Sequence, residues 1–404
     1  MRSHLGALLF FIWSLSNSVN NNWVQGNCLD DQRALLLQLN QSQFFRGSSS
    51  SKRSSWHLNT DCCSSWEGIA CDRAGHVIGL DLSNEGMYDE LINSSSLFKL
   101  RYLERLNLAG SSFGLVPIPS ELGQLTNLQY LNLSSSGFAG KIPIEISRLT
   151  RLVTLDISGR SRFRYFYLTH SDLETLIHNL TELRELVLDG VSISGQANKW
   201  CRTLSSSLPK LQVLSLSDCE LSGPFDSSLS KLRSLSVLRL DGNNISAEVP
   251  QFFSKFHNLT TLHLSNCQLQ GKFPERVLQL PTLDSLDLSG NDRLQGSLPE
   301  FPKVALLHEL DLSDTSFTGK LPNSIGNLRH LSRLDLSNCQ FYGSIPSSFS
   351  KLSQLEYLDL SNNSFTGSIT SIINSSKKLV YIDLSDNHFT GPIPSEWNEF
   401  KMLT

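Results

Sequence analysis

A Leu-x-Leu pair recurs along the chain. Its first residue falls at Leu80, Leu106, Leu131, Leu155, Leu186, Leu214, Leu238, Leu262, Leu286, Leu310, Leu334, Leu358 and Ile382. From Leu214 to Ile382 every step is 24 residues; upstream the steps are 26, 25, 24, 31 and 28, so that stretch carries insertions. A period held this long implies stacked units, each burying its apolar face against its neighbours, rather than one enlarging core. The 404-residue length, which alone suggests two or three domains, is therefore no guide to domain count.

The unit from Leu331 to Gln354 shows what each position does. Leu331, Leu334 and Leu336 alternate inward as in a short strand, with Ser332, Arg333, Asp335 and Ser337 outward. Cys339 stands where other units have Asn243, Asn291, Asn363 or Asn387, a place for a buried side chain that bonds the backbone of adjacent turns. Phe341 fills the next apolar layer, Gly343 permits a tight turn, and Ile345-Pro346 begins the return segment. Such units are leucine-rich repeats. The fold they predict is an α/β-type solenoid: a right-handed superhelix with a parallel concave β-sheet about 60 Å long, an irregular convex side and a capped N-terminus.

The first residues read as a signal peptide. Arg2 and His4 precede an apolar run from Leu5 to Leu15, with small residues at Ser16 and Ser18. The reading gives a signal peptide over 1–18, with a cut as late as 26, a cap over 27–76, and about thirteen repeats over 77–404, the last incomplete and uncapped. The Leu5–Leu15 run is too short to span a bilayer, and no later stretch has 18 consecutive apolar residues.

Cysteine usage agrees with an oxidising compartment. Cys28, Cys62, Cys63 and Cys71 crowd into the cap, where four cysteines allow three pairings and the adjacent Cys62 and Cys63 do not easily bond each other. Cys219, Cys267 and Cys339 share the ladder position, so their Cα atoms fall about 10 and 15 Å apart, beyond the about 7 Å a disulfide tolerates. They are expected to be free buried thiols, and Cys201, beside Trp200, has no assigned partner. Eight Asn-x-Ser/Thr sequons are open to glycosylation: Asn40, Asn93, Asn132, Asn179, Asn244, Asn258, Asn362 and Asn374.

The Gly-x-apolar-Pro element recurs at Gly140, Gly271, Gly296, Gly319, Gly343 and Gly391, and resembles the plant-type extracellular leucine-rich repeat. CLDDQRALLLQL and DCCSSWEGIACD resemble the N-terminal cap of plant receptor-like proteins. GHVIGLDLS, SSSLFKLRYLERLNLA, IPIEISRLTRLVTLDIS, TELRELVLDGVSISG and SLSKLRSLSVLRLDGNN are similar to the Verticillium wilt resistance receptor-like proteins, and the likeness runs from about Cys28 to the last residue. The resemblance implies Cys28–Cys62 and Cys63–Cys71 bridges. It also implies an ectodomain that senses a pathogen-derived or endogenous protein or peptide outside the cell and works with co-receptor kinases. Location follows: secretory pathway, then apoplast or plasma membrane. The alternative is a soluble apoplastic inhibitor of a wall-degrading hydrolase, resembling the polygalacturonase-inhibiting proteins. Those close with a cysteine-bearing C-cap, which this sequence lacks.

Candidate sites fall on the outward positions. Asp287, Asp311, Asp335, Asp359 and Asp383 occupy the place between paired leucines in five successive units, forming either an acidic strip for a cationic partner or a solvated row. Arg105, Arg184, Arg239, His263, His308 and Arg333, interleaved with Tyr130, suit recognition of a protein or peptide. The long fourth unit adds Arg160, Arg162, Arg164, Tyr165 and Tyr167, with Phe163 and Phe166, an arginine–aromatic insertion that either binds or folds back over a sheet edge. Against catalysis, the Gly110–Gly114 string has the Gly-x-Ser-x-Gly form, but the repeat puts Ser111 in the ladder position. No Cys/His spacing suits a metal, no glycine-rich loop suits a phosphate, and a net charge of -4 offers no polycationic face for nucleic acid. The sequence makes no case for an enzyme or for a cofactor.

Overall fold

The computed structural model describes residues 26–41, 52–85, 96–159, 166–194, 199–369, 372 and 378–391. Its main sheet has fourteen strands: β1 (Ile69–Cys71), β2 (Val77–Asp81), β3 (Arg105–Asn107), β4 (Tyr130–Asn132), β6 (Thr154–Asp156), β8 (Glu185–Val187), β10 (Val213–Ser215), β11 (Val237–Arg239), β12 (Thr261–His263), β14 (Ser285–Asp287), β16 (Glu309–Asp311), β18 (Arg333–Asp335), β20 (Tyr357–Asp359) and β22 (Tyr381–Asp383). From β2 onward all pairs are parallel and in register, so that Leu214, Leu238, Leu262 and Leu286 stand side by side. The paired leucines and the phenylalanines behind them are buried from Leu80 to Phe365, and Ile382, Leu384 and Phe389 of the last unit are partly buried.

The first pair departs from the expected parallel order, since β1 runs antiparallel to β2. The reason is local. Asp72 and His76 close a tight turn, with Gly75 at φ 87, so the cap feeds the first repeat as a hairpin. The cap holds α1 (Asp30–Gln41) and the single turn α2 (Cys62–Ser65), whose N-cap Asp61 accepts from the amides of Cys63 and Ser64. Cys28 bonds Cys62 and Cys63 bonds Cys71, each pair with Cα atoms 5.5 Å apart, as the resemblance implied. Trp56 and Trp66 stack at 5.4 Å inside, and the buried Arg53–Glu85 ion pair ties the cap to the repeats.

The convex side carries 3-10 turns, several of them following a proline: Ser120–Gln124, Ile144–Arg148, Gln251–Lys255, Asn323–Asn327 and Ser347–Lys351. The proline supplies the extended entry and the short turn brings an apolar side chain such as Phe253 or Phe349 back into the core. Two insertions form helices, α3 (His170–Ile177) with a Thr169/Asp172 capping box and α4 (Lys199–Ser207); α5 (Glu275–Leu278) replaces one convex turn. No helix of the described residues is long and apolar enough to cross a membrane.

A second set of parallel strands runs down one flank. β5 (Gly140–Lys141), β7 (Phe166–Thr169) and β9 (Val191–Ser194) form one sheet; β13 (Gln270–Lys272), β15 (Arg293–Gly296), β17 (Ser316–Gly319), β19 (Gln340–Ser344), β21 (Ser364–Gly367) and β23 (His388–Phe389) form another. Between main sheet and flank runs the asparagine ladder. Asn291 accepts from the amides of Cys267 and Leu269 and donates to the carbonyls of Leu264 and Leu288, at 2.7–3.0 Å. Cys267 and Cys339 donate their thiols to the carbonyls of Leu240 and Leu312 instead. Cys201, Cys219, Cys267 and Cys339 are free, as expected for the ladder cysteines. One correction applies: Cys339 is only half-buried. Asn243 and Asn291 close over the amides of Cys219 and Cys267, whereas Asn363 reaches only the amide of Phe341. Cys201 is buried on α4, its sulfur accepting from the amide of Asp226.

Candidate binding surface on the concave face

Each concave strand turns one leucine inward and holds two residues outward, so the sheet carries two rows of side chains at strand spacing. In the row after the first leucine stand Arg239, His263, Asp287, Asp311, Asp335, Asp359 and Asp383. In the row before it stand Arg105 and Tyr130 near one end and Ser285, Glu309, Arg333, Tyr357 and Tyr381 near the other.

The aspartate row corrects the expectation of freely outward carboxylates. Asp311, Asp335 and Asp359 are 9, 5 and 8% exposed. Each turns one oxygen onto the amide and hydroxyl of the serine two residues on, as do Asp287 with Ser289 and Asp383 with Ser385. This anchors the backbone just past the strand. Where the row holds Ser215 or His263, the carboxylate comes from the preceding unit. Asp189 accepts from the amide of Ser217, and Asp241 from the amide and hydroxyl of Ser265. Burial pushes Asp287 up to about 7, with Asp311 and Asp241 adding to the rise, and burial pushes Asp189 up to about 6.

Arg333 is likewise no free cation. Its guanidinium contacts Asp335 at 2.9 Å, Asp311 at 3.4 Å and Glu309 at 3.7 Å, and lies 3.7 Å over the Tyr357 ring. Tyr357 stacks on Tyr381 at 4.4 Å, and both hydroxyls reach Asp359. A cation–aromatic stack therefore spans three repeats, with Tyr381 exposed at its end. Sequence reasoning missed both tyrosines, although they sit one residue before the repeated leucine, as Arg333 does. At the other end Arg105 is exposed and lies 4.4 Å over Tyr130. Arg184 is exposed, and His308, also exposed, is held by Asp284. His263 touches the Ser285 hydroxyl at 2.7 Å, and Ser285 donates to Glu309 at 2.9 Å.

Of the insertion, Arg160, Arg162, Arg164 and Tyr165 lie outside the described residues. Tyr167 is exposed on β7, on the flank rather than the concave sheet, while Phe166 is buried. Asn179, Asn244, Asn258 and Asn362 are exposed, Asn40 is half-buried, and Asn93 and Asn374 lie outside the described residues. Asn132 does not suit a glycan: it is 7% exposed on β4 and bonded to the Ser134 amide and the Tyr130 hydroxyl. The Ser111 hydroxyl donates to the Leu82 carbonyl, as its ladder position requires.

Comparison with known proteins fits this geometry. The family described as Leucine rich repeat N-terminal domain matches residues 29–72. Leucine rich repeat families match residues 233–292 and six segments between 127 and 400. Receptor-like protein 6 of Arabidopsis thaliana is 38% identical over 206 residues, which cover 50% of this chain and 20% of the relative. Receptor-like protein EIX1 of Solanum lycopersicum is 37% identical over 254 residues, covering 58% and 23%. This chain thus spans about a fifth of the length of the curated relatives it matches. Among solved structures, the ectodomain of the Arabidopsis receptor kinase HAESA, in complex with an N-terminally extended IDA peptide hormone ligand, superposes with a TM-score of 0.75. That pair is 26% identical and covers 89% of this chain and 66% of the other.

Proposed function

We propose, from the premise that this is a leucine-rich-repeat solenoid whose relatives are plant receptor-like proteins, that the chain is an extracellular recognition module in plant defence. Its concave face binds a secreted protein or peptide, pathogen-derived or endogenous, and it signals through co-receptor kinases rather than by any chemistry of its own. The observation that carries this is the pair of side-chain rows on the concave sheet. Successive strands offer Arg239, His263, Ser285, Glu309, Arg333, Tyr357 and Tyr381, a run of differing chemistry on a uniform frame. Rigid aromatic and arginine side chains on a preorganised sheet are the composition of binding hot spots. A solved relative in the same fold holds a peptide hormone, which supports a peptide-sized ligand. The similarity to plant receptor-like proteins, EIX1 of Solanum lycopersicum among them, supports an extracellular recognition role of this kind.

Photo-crosslinking amino acids at position 357 or 381, with convex controls at 231 or 351, test this in apoplastic fluid from infected and healthy leaves. The expected result is a secreted protein or peptide captured from the concave positions alone and enriched on infection. Equal capture from the convex positions overturns the assignment.

A further inference from the structure

Near the middle of the concave sheet, Asp241, His263 and Asp287 converge. Each offers one ligand atom, and the three atoms lie within 4.8 Å of one another. They come from three successive repeats: Asp241 lies two residues past β11, His263 ends β12 and Asp287 ends β14. All three are half-buried, so the cluster is neither sealed in the core nor bathed in solvent.

We propose that this cluster binds a single divalent first-row metal ion of the Zn2+ or Mn2+ class, with Asp241, His263 and Asp287 as protein ligands. The site uses His263 of the concave run, but it requires no particular identity for the partner that face recognises. One imidazole nitrogen and two carboxylate oxygens form a donor set intermediate between nitrogen-preferring and oxygen-preferring ions, and three protein ligands leave coordination positions facing the open concavity.

Each donor is also held from behind. Asp241 takes the amide and hydroxyl of Ser265 on one oxygen, and the Ser217 hydroxyl approaches the other at 3.1 Å. Asp287 turns one oxygen to Ser289. The Ser285 hydroxyl donates to Glu309, so the His263 Nε2 that touches Ser285 is the protonated nitrogen and the lone pair is on Nδ1. A ring nitrogen freed by a hydrogen bond on the other side of the ring is how metal-ligating histidines are oriented.

The charges around the cluster leave the carboxylates short of a partner. Facing it are Arg239 on β11, Glu309 and Asp311 on β16, and the two aspartates themselves. Arg239 bears electrostatically on His263, yet its Nε is buried with no hydrogen-bond partner. Arg333 already pairs with Glu309 and Asp311, so the charge that would draw a cation to the three donors is that of Asp241 and Asp287 themselves.

Titration of the secreted, untagged chain with ZnCl2 and MnCl2 by calorimetry, with CaCl2 as the oxygen-preferring control, tests the proposal. The expected result is one saturable site per chain for Zn2+ or Mn2+. H263Q should weaken it at least tenfold, D359N should leave it unchanged, and R239Q should tighten it several-fold. Unchanged denaturation midpoints of the metal-free variants show that they fold. No saturable uptake of Zn2+ or Mn2+ overturns the proposal. Uptake that survives H263Q, or that Ca2+ matches, assigns the ion to the general acidic row and also overturns it. Binding no tighter in R239Q places the ion elsewhere and overturns it as well.

Discussion

Asn291 and Asp189 show how much of this fold hangs on single polar side chains. Replacing Asn291 with Ala orphans the amides of Cys267 and Leu269 and the carbonyls of Leu264 and Leu288 in a site with no exposure. Each buried unsatisfied group costs about 1–3 kcal/mol, so a loss of about 3 kcal/mol or more is expected. Asn291→Cys should lose less, because Cys219 and Cys267 already hold the ladder through thiol contacts to backbone carbonyls. Urea denaturation midpoints of the two variants rank them. Asp189 carries a pH signature. Its carboxyl is raised to about 6, above its ordinary value of about 3.9, so the folded chain keeps a proton that the unfolded chain has already released. The contribution of Asp189 to stability should therefore fall as pH rises from about 4 through 6 and then level, by an amount of order 2 kcal/mol. Midpoints measured from pH 4 to 7.5 should show a shallower slope in D189N than in the native chain, the rest coming from Asp287, which burial raises to about 7; an unchanged slope in D189N assigns the effect to another group.

At the scale of elements, the cap and the flank behave differently as readings of the sequence. The cap bridges came from resemblance, and their relative weight follows from loop length. Cys28–Cys62 closes a separation of 34 residues and Cys63–Cys71 one of 8. Both should contribute about 2–4 kcal/mol, with the larger loss on removing Cys28 and Cys62 together. Thermal unfolding of the two double-serine variants checks the order. The main strands were legible because leucine at fixed steps has one physical reading. The flank strands were not, since residues such as Gln340–Ser344 carry no alternating pattern and pair only because the stack brings β21 alongside. The same limit hid Tyr357 and Tyr381: a single outward residue looks solvated until its neighbour 24 positions on is placed against it. Asp189 and Asp241 were invisible for the same reason, because each serves the serine of the following unit.

For the whole molecule, stability is close to a sum over repeats and their interfaces, so it need not be uniform along the stack. Leu214, Leu238 and Leu262 have no exposure, whereas Ile382, Leu384 and Phe389 are only partly buried. Amides of β22 and β23 in this 404-residue chain should exchange roughly tenfold or more faster than those of β10 and β11. Equal protection, read by hydrogen exchange in the monomer, removes that gradient. The frame serves a surface on which Arg333, Tyr357 and Tyr381 stack beside a buried aspartate row. The most direct test is to measure affinity for the captured partner after Tyr357→Ala and Tyr381→Ala, beside Lys231→Glu and Lys351→Glu on the convex side. The account predicts at least a tenfold loss for the tyrosine variants, with folding retained, and no change for the lysine variants. Full affinity in the tyrosine variants, or a loss confined to the convex lysines, contradicts it.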